Sequence, residues 1–374
     1  MRSIKYLYLL VVLEKHMNLS NKLTELLDVD YPIVQAPMGG ESTPEMAIAV
    51  SNAGGLGGLG CSSMSLRDIE ESVKKIRAGT NRSFNLNFFT HPVPQQNPDT
   101  NAKTRARLEP FYNELGITDI PTRGKDPYGT FTEEKLNLML DLRPKVVSFH
   151  FGLPADGMVQ TLQEAGIIIM CSATTVEEAV WLDEAGVDVI IAQGWEAGGH
   201  RGTFWVSHED FGVGTLALVP QIVDAVSKPV IASGGIADGR GIAATFILGA
   251  MGVQLGTAFL SCPEANISDS WREALSNASD ADTRLTPAFS GRPARAKNNR
   301  YIETMSQVRS DFPDFPTMYD FSGPLEQACL DGNTNGLEFF LYGQAASLNR
   351  LLPAADLVQL LVEETRNALN SRFE

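Results

Sequence analysis

Residues 187–202 read VDVIIAQGWEAGGHRG, and this stretch decides the fold. Its first part, Val187–Ala192, is a short apolar, β-branched run of the kind that forms a strand buried on both faces. The remainder is a glycine-rich loop around one imidazole, His200. A buried strand ending in such a loop is one unit of a parallel sheet whose working groups lie at the carboxyl ends of the strands. The same unit recurs in both directions. Tyr31–Ala36, Gly55–Gly60, Ser83–Phe88, Lys145–Phe151 and Gly166–Cys171 read as strands before it, and Pro229–Ala232 and Met251–Leu255 after it. Helical stretches separate them over Glu41–Ala53, Ser65–Ala78, Ala155–Ala165, Val176–Ala185 and Asp238–Leu248. Eight such strands predict an α/β fold of the TIM (β/α)8 barrel class, with an open doubly wound sheet as the alternative.

A bare barrel takes about 250 residues, and this chain has 374. Residues 90–143 exceed any ordinary βα loop and read as a helical insertion above the C-terminal rim. Residues 264–350, with polar helices, Arg/Pro turns and an aromatic run from Phe312 to Phe321, read as a smaller cap domain. The barrel then covers residues 17–263, with a short helix Asn21–Leu27 leading into it. Residues 351–374 contain an amphipathic helix, Ala354–Asn370, that closes on the barrel. Residues 1–16 form an N-terminal extension. Their apolar run Tyr6–Leu13 is too short to span a bilayer, Glu14-Lys15-His16 follow it, and no small-residue cleavage site appears. An upstream extension before a start at Met17, a minor packed helix and a targeting segment are the three readings, and the chain is taken as cytoplasmic.

Lysine and arginine number 30 against 45 acids, a formal charge of −15. That balance argues against a nucleic-acid or anionic-membrane partner, while a local basic patch remains able to hold one phosphate. Cys61, Cys171, Cys262 and Cys329 are far apart and read as reduced, mostly buried thiols. No His/Cys/Asp/Glu cluster has metal-ligand spacing, so no metal is expected.

The chemistry is sought where strands end. Glycines cluster there after the last two strands, as Ser233-Gly234-Gly235 and Gly256-Thr257. Adjacent backbone N–H groups with no side chain in the way suit a phosphate, and barrels commonly bind one at this position. Tight strand–helix packing is the other use of such glycines. His200 sits between glycines after the sixth strand, and an imidazole of near-neutral pKa suits proton abstraction. His91 and His208 read as surface residues. Trp195 reads either as packing on a flat ligand or as a hydrophobic plug.

QAPMGG after the first strand, NLNFF at the third, VVSFHFGLP at the fourth, QGWEAGGHRG at the sixth, ASGGIADGRG at the seventh and QLGTAFL at the eighth resemble class I nitronate monooxygenase. The resemblance covers roughly residues 24–350. It implies an FMN-dependent barrel, cofactor at its C-terminal face, that oxidises nitronates with O2 to a carbonyl compound and nitrite. By motif it places Asn87, Gln193, Gly198 and Gly199 against the flavin, with Pro37 and Met38 beside its ring. It places Gly234, Gly235, Gln254, Leu255, Gly256 and Thr257 at the phosphate. His200 matches the catalytic histidine, and His150 faces the same cavity. Ser290, within Ser290–Arg295, resembles a motif that closes over cofactor or substrate, and a solvated turn is the other reading. Tyr342 reads as a substrate-lining aromatic or a core tyrosine. The resemblance suggests a small nitronate such as propionate 3-nitronate, its carboxylate paired by an Arg or Lys at the cavity mouth. Two further functions stay open: an NAD(P)H-dependent FMN reductase of the enoyl-acyl carrier protein reductase type, and a non-catalytic flavin-binding module. The AGGHRG segment and the long insertion favour the nitronate enzyme.

Overall fold

The computed structural model describes residues 18–370 except position 96 and residues 122–128, 206–211, 307–310 and 331–335. The expected extension at 1–16 and His208 therefore lie outside the described residues. The strands in chain order are β1 (Ile33–Gln35), β2 (Gly57–Gly60), β3 (Phe84–Phe89), β4 (Val146–His150), β5 (Ile168–Ala173), β6 (Val189–Gln193), the two-residue β7 (Gly199–His200), β8 (Val230–Ser233) and β9 (Gly252–Leu255). All except β7 pair in parallel, in the order β1-β9-β8-β6-β5-β4-β3-β2. A parallel bridge between Val34 and Leu56 joins the two ends and closes the ring. The architecture is a TIM barrel.

Helices α1 (Lys22–Leu27), α2 (Pro44–Asn52), α3 (Leu66–Gly79), α4 (Pro98–Glu114), α5 (Glu133–Leu142), α6 (Met158–Glu164), α7 (Val176–Glu184), α8 (Thr215–Ala225), α9 (Gly239–Ile247) and the single turn α10 (Thr257–Leu260) follow in order. Side-chain caps start many of them. Thr43 before Pro44, Ser65, Thr132, Thr175 and Asp238 each accept a backbone N–H of the first turn. Helix α8 has no expected counterpart, because Pro220 lies inside it and Gly214 offers no side-chain cap. At the amino end of the barrel Asn21 caps α1 in a reciprocal box with Thr24 and bonds the Met251 carbonyl at 2.7 Å. Leu23 and Leu27 then plug the barrel floor against Val34, Leu56, Val146, Met170, Val189, Ile191 and Ile231.

The insertion expected over 90–143 divides in two. Helix α5 packs on α3 and α6 and is an ordinary crossover between β3 and β4. Helix α4 leaves the barrel and shares a separate core with the cap. That cap comprises α11 (Asp269–Ser276), β10 (Thr283–Thr286), β11 (Ala294–Lys297), α12 (Arg300–Met305) and α13 (Thr317–Leu330). Leu108, Phe111 and Tyr112 of α4 meet Phe289, Tyr301, Phe321 and Phe339 there. Helix α14 (Ala354–Asn370) packs between α9 and α2, filling the outer ring after β9. All four cysteines are free and buried, and burial pushes Cys61 and Cys262 up to about 12. Among the described residues no helix is long and apolar enough to cross a membrane.

Candidate active site

A cavity opens at the carboxyl ends of the barrel strands, beneath the cap. Its floor is polar although the strands are apolar, because six of the eight barrel strands carry a hydrogen-bonding side chain near that end. Asn87, Ser148, Ser172, Gln193, Ser233 and Gln254 point inward from β3, β4, β5, β6, β8 and β9. Most are held. Asn87 donates to the Ser148 hydroxyl at 2.9 Å, and Gln193 accepts Gly202 N–H at 2.7 Å while donating to the His200 carbonyl at 3.0 Å. Gln254 Oε1 is buried and has no hydrogen-bond partner among the described residues. A buried acceptor left unmade is costly, so it marks a place for a donor from a ligand.

His200 reaches the cavity through a second sheet. Strand β7 pairs antiparallel with β11, Ala294 opposite His200 and Arg295 opposite Gly199, while β10 pairs with β11 on its other side. The cap thus grips the histidine loop by backbone hydrogen bonds, and Arg201 N–H adds one to the Pro293 carbonyl. His200 Nε2 lies 2.9 Å from Ser290 Oγ. The Ser290 hydroxyl donates to the Arg292 carbonyl at 3.0 Å, so Nε2 is the donor and Nδ1 keeps its lone pair. His150 is fixed in the same tautomer. Its Nε2 is 3.2 Å from the His200 carbonyl oxygen, which only accepts, and its Nδ1 accepts from Ser172 at 2.9 Å. Both nitrogens of His150 are committed, whereas Nδ1 of His200 has no hydrogen-bond partner among the described residues.

Phe89, Phe151, Phe315 and Tyr319 surround the His200 ring, with ring centroids 5.4 to 6.1 Å away. This apolar box strips water from the imidazole. Burial first, then the neighbouring His150 and Arg292, lowers His200 to about 3. Burial and the Arg292 and Arg201 guanidinium groups likewise lower His150 to about 4. Both imidazoles are neutral near pH 7, the form able to receive a proton.

Buried charges anchor the loop from behind. Glu178 accepts Thr174 N–H (2.6 Å), the Thr174 hydroxyl (2.7 Å), Phe204 N–H (2.7 Å) and Trp205 N–H (3.1 Å). Glu196 accepts Thr215 N–H and its hydroxyl, tying the loop to the start of α8. Arg295 donates to the Trp195 carbonyl at 2.8 Å, and the Trp195 ring lies between Arg201 and Arg295, 5.5 and 5.9 Å from their guanidinium carbons. Trp195 does not line the cavity.

Of the residues singled out from the sequence, Pro37, Met38, Asn87, His150, Gln193, Gly198, Gly199, His200, Gly234, Gly235, Gln254, Gly256 and Thr257 all line this cavity. Leu255 does not: its side chain is in the barrel core and its carbonyl accepts Ala36 N–H. Ser290 is buried behind His200 and does not face the cavity. The Tyr342 ring is a correction. It packs with Trp271, Phe340 and Ala346, while its neighbours Leu341 and Gly343 line the cavity, because successive side chains of extended chain point to opposite sides. His91 is another: it is buried edge-on against Phe315 at 4.8 Å, where the aromatic run folds over the rim. No lysine or arginine lines the cavity among the described residues, so none of these supplies the expected cation for a carboxylate. Phe89, Tyr319, Glu41 and Glu196 line it unanticipated. A lone serine inside an apolar strand, as in Val146–His150, is the signal that would have found Ser148.

The sequence profile of the nitronate monooxygenase family matches residues 20–364. A nitronate monooxygenase of Pseudomonas aeruginosa is 42% identical over 93% of this chain and 100% of its own length. The crystal structure of a nitroalkane oxidase from Streptomyces ansochromogenes superposes with a TM-score of 0.84 at 38% identity, covering 93% of this chain and 99% of that one. FabK from Thermotoga maritima superposes with a TM-score of 0.70 at 26% identity over 94% of this chain and 97% of that one.

Proposed function

This chain belongs to the nitronate monooxygenase family, and from that premise we propose that it oxidises alkyl nitronates with O2 to a carbonyl compound and nitrite, using FMN and His200. It is an oxidoreductase. The cavity fits a flavin mononucleotide. Gly234 and Gly235 have φ of +104° and +70°, which turns backbone N–H groups outward without a Cβ in the way. Thr257 accepts Gly343 N–H at 2.9 Å, leaving its own hydroxyl proton for a phosphate oxygen. With Gly256 these residues would hold the phosphate. Gln254 Oε1 awaits a donor such as a ribityl hydroxyl. Pro37 and Met38 would flank the ring, and Asn87 and Gln193 its polar edge. Bound there, FMN would supply the electron acceptor for the substrate and the link from it to O2.

His200 Nδ1 removes the α-proton of a neutral nitroalkane; for a nitronate, already deprotonated, the imidazole orients the anion. Ser290 fixes the tautomer that leaves Nδ1 free. His150 bonds the His200 carbonyl and so sets the backbone that carries the base. The four aromatic rings exclude water. The observation that carries this reading is the neutral His200, with one unbonded nitrogen, on the wall of a cavity lined by phosphate-type glycines.

The test is the absorbance spectrum of the purified protein, followed by oxygen-electrode assays with nitroethane, ethyl nitronate and propionate 3-nitronate. A yellow protein with non-covalent FMN that consumes O2 with ethyl nitronate is expected. FAD, no flavin, or prompt anaerobic bleaching by NADH without nitronate turnover would contradict the proposal, the last in favour of a reductase.

A further inference from the structure

Resting on the nitronate reading, we propose that this site selects nitronates with an uncharged alkyl tail and rejects those carrying a carboxylate. The apolar side chains lining the cavity include Met38, Phe89, Leu260, Tyr319 and Leu341. The nearby guanidinium groups face elsewhere. Arg292 donates to the Thr203 carbonyl at 2.8 Å and stacks on Phe151 at 4.3 Å, and Arg295 is spent on the Trp195 carbonyl and Thr283. Arg201 lies on the carbonyls of Gln193 and Thr174.

The cavity instead presents an acid, with a second one near it. Glu41, on the loop after β1, lines it. Glu326 lies seven residues beyond Tyr319 on α13, two helical turns along the same face, and close enough that its charge acts on Glu41. Neither carboxylate makes an ion pair among the described residues. Burial, joined for Glu41 by repulsion from Glu326, raises both to about 7, the opposite of what a nearby cation would do. A substrate carboxylate entering here would lose water and find no cation among the described residues, and each of the two acids that is ionised would repel it. A methyl group in its place meets aromatic and thioether surface.

Propyl-1-nitronate and propionate 3-nitronate differ by that exchange alone, a terminal methyl for a carboxylate. Oxygen consumption by the holoenzyme should give a kcat/KM for propyl-1-nitronate about tenfold or more above that for propionate 3-nitronate, the difference residing in KM. Glu326→Gln and Glu41→Gln should each narrow the gap by improving the carboxylate substrate. Calorimetry with butyrate against succinate, carboxylate mimics of the same two substrates, reads the preference without turnover and should favour butyrate. Equal or better use of propionate 3-nitronate, or succinate binding as tightly as butyrate, would overturn the proposal. Turnover of neither nitronate sinks the nitronate reading, and the butyrate–succinate comparison then still decides the charge preference.

Discussion

His200 Nε2 and Ser290 Oγ lie 2.9 Å apart, one on a loop of the barrel and the other on the cap, and this bond determines which imidazole nitrogen is free. The bond spans one small sheet, since β7 carries His200 and Ser290 lies in the turn between β10 and β11, four residues before β11 begins. The cap therefore orients the base as well as covering the cavity.

Ser290→Ala should show this. The imidazole loses its side-chain hydrogen-bond partner among the described residues, and one hydrogen bond is worth about 0.5–1.5 kcal/mol, so kcat/KM for a nitroalkane should fall up to ~10-fold with flavin content unchanged. Steady-state kinetics alongside the flavin-to-protein ratio checks it. An unaltered kcat/KM would mean that the bond plays no part in positioning His200.

Glu178→Ala removes a fully buried carboxylate that satisfies four donors. It also leaves Arg201, drawn toward that charge, less compensated. Breaking such a buried charged network costs roughly 3–5 kcal/mol. Urea unfolding should report a loss of that order, and one below about 1 kcal/mol would contradict the assigned role.

Adjacent glycines in the His200 loop should behave differently. A Cβ at Gly198 would come within 2.5 Å of Gly343 N and Tyr342 C, so Gly198→Ala must push the cap segment away. Gly199 has φ +70° and nothing within 4 Å of its Cβ position, so Gly199→Ala adds only backbone strain of about 1–2 kcal/mol. The first variant should lose bound flavin and the second keep most of it, measured by absorbance per protein. Equal retention would place the cofactor away from Gly198.

Much of this was legible before any coordinates, for a physical reason. Buried parallel strands are short apolar runs, and Val187–Ala192 announces one without help from distant residues; its observed span is Val189–Gln193. The glycine clusters at 198–199 and 234–235 stand out because few residues tolerate their backbone. What stayed hidden depends on contacts between remote segments. Helix α5 belongs to the barrel and α4 to the cap, a division set by packing partners. His91 is buried, with Phe315, more than 200 residues away in the chain, packed on it. Tyr342 missed the cavity by one position, since which face of an extended segment turns inward is fixed by the neighbours it packs on.

The pH dependence of stability carries two opposed signals. His200 and His150 are lowered to about 3 and 4 from an ordinary value near 6.5, so the folded state resists protonation and stability is lost as pH falls below about 6.5. Glu41 and Glu326 are raised to about 7 from 4.5, so the folded state holds protons that the unfolded chain releases, and stability is lost as pH rises from 4.5 through 7. The double variant Glu41→Gln, Glu326→Gln removes only the second effect. Its melting temperature should exceed the parent's by more at pH 8 than at pH 5, and a pH-independent offset would contradict the assignment.

The central claim, that His200 is the base, is tested most directly by turnover of His200→Asn on nitroethane and on ethyl nitronate. Only the neutral nitroalkane needs its α-proton removed, a step to which a positioned base contributes roughly 10²–10⁴-fold. The account predicts near-complete loss of nitroethane oxidation, substantial retention of ethyl nitronate oxidation, and flavin still bound. Equal, modest losses on both substrates would contradict it and leave His200 as a residue that only shapes the cavity.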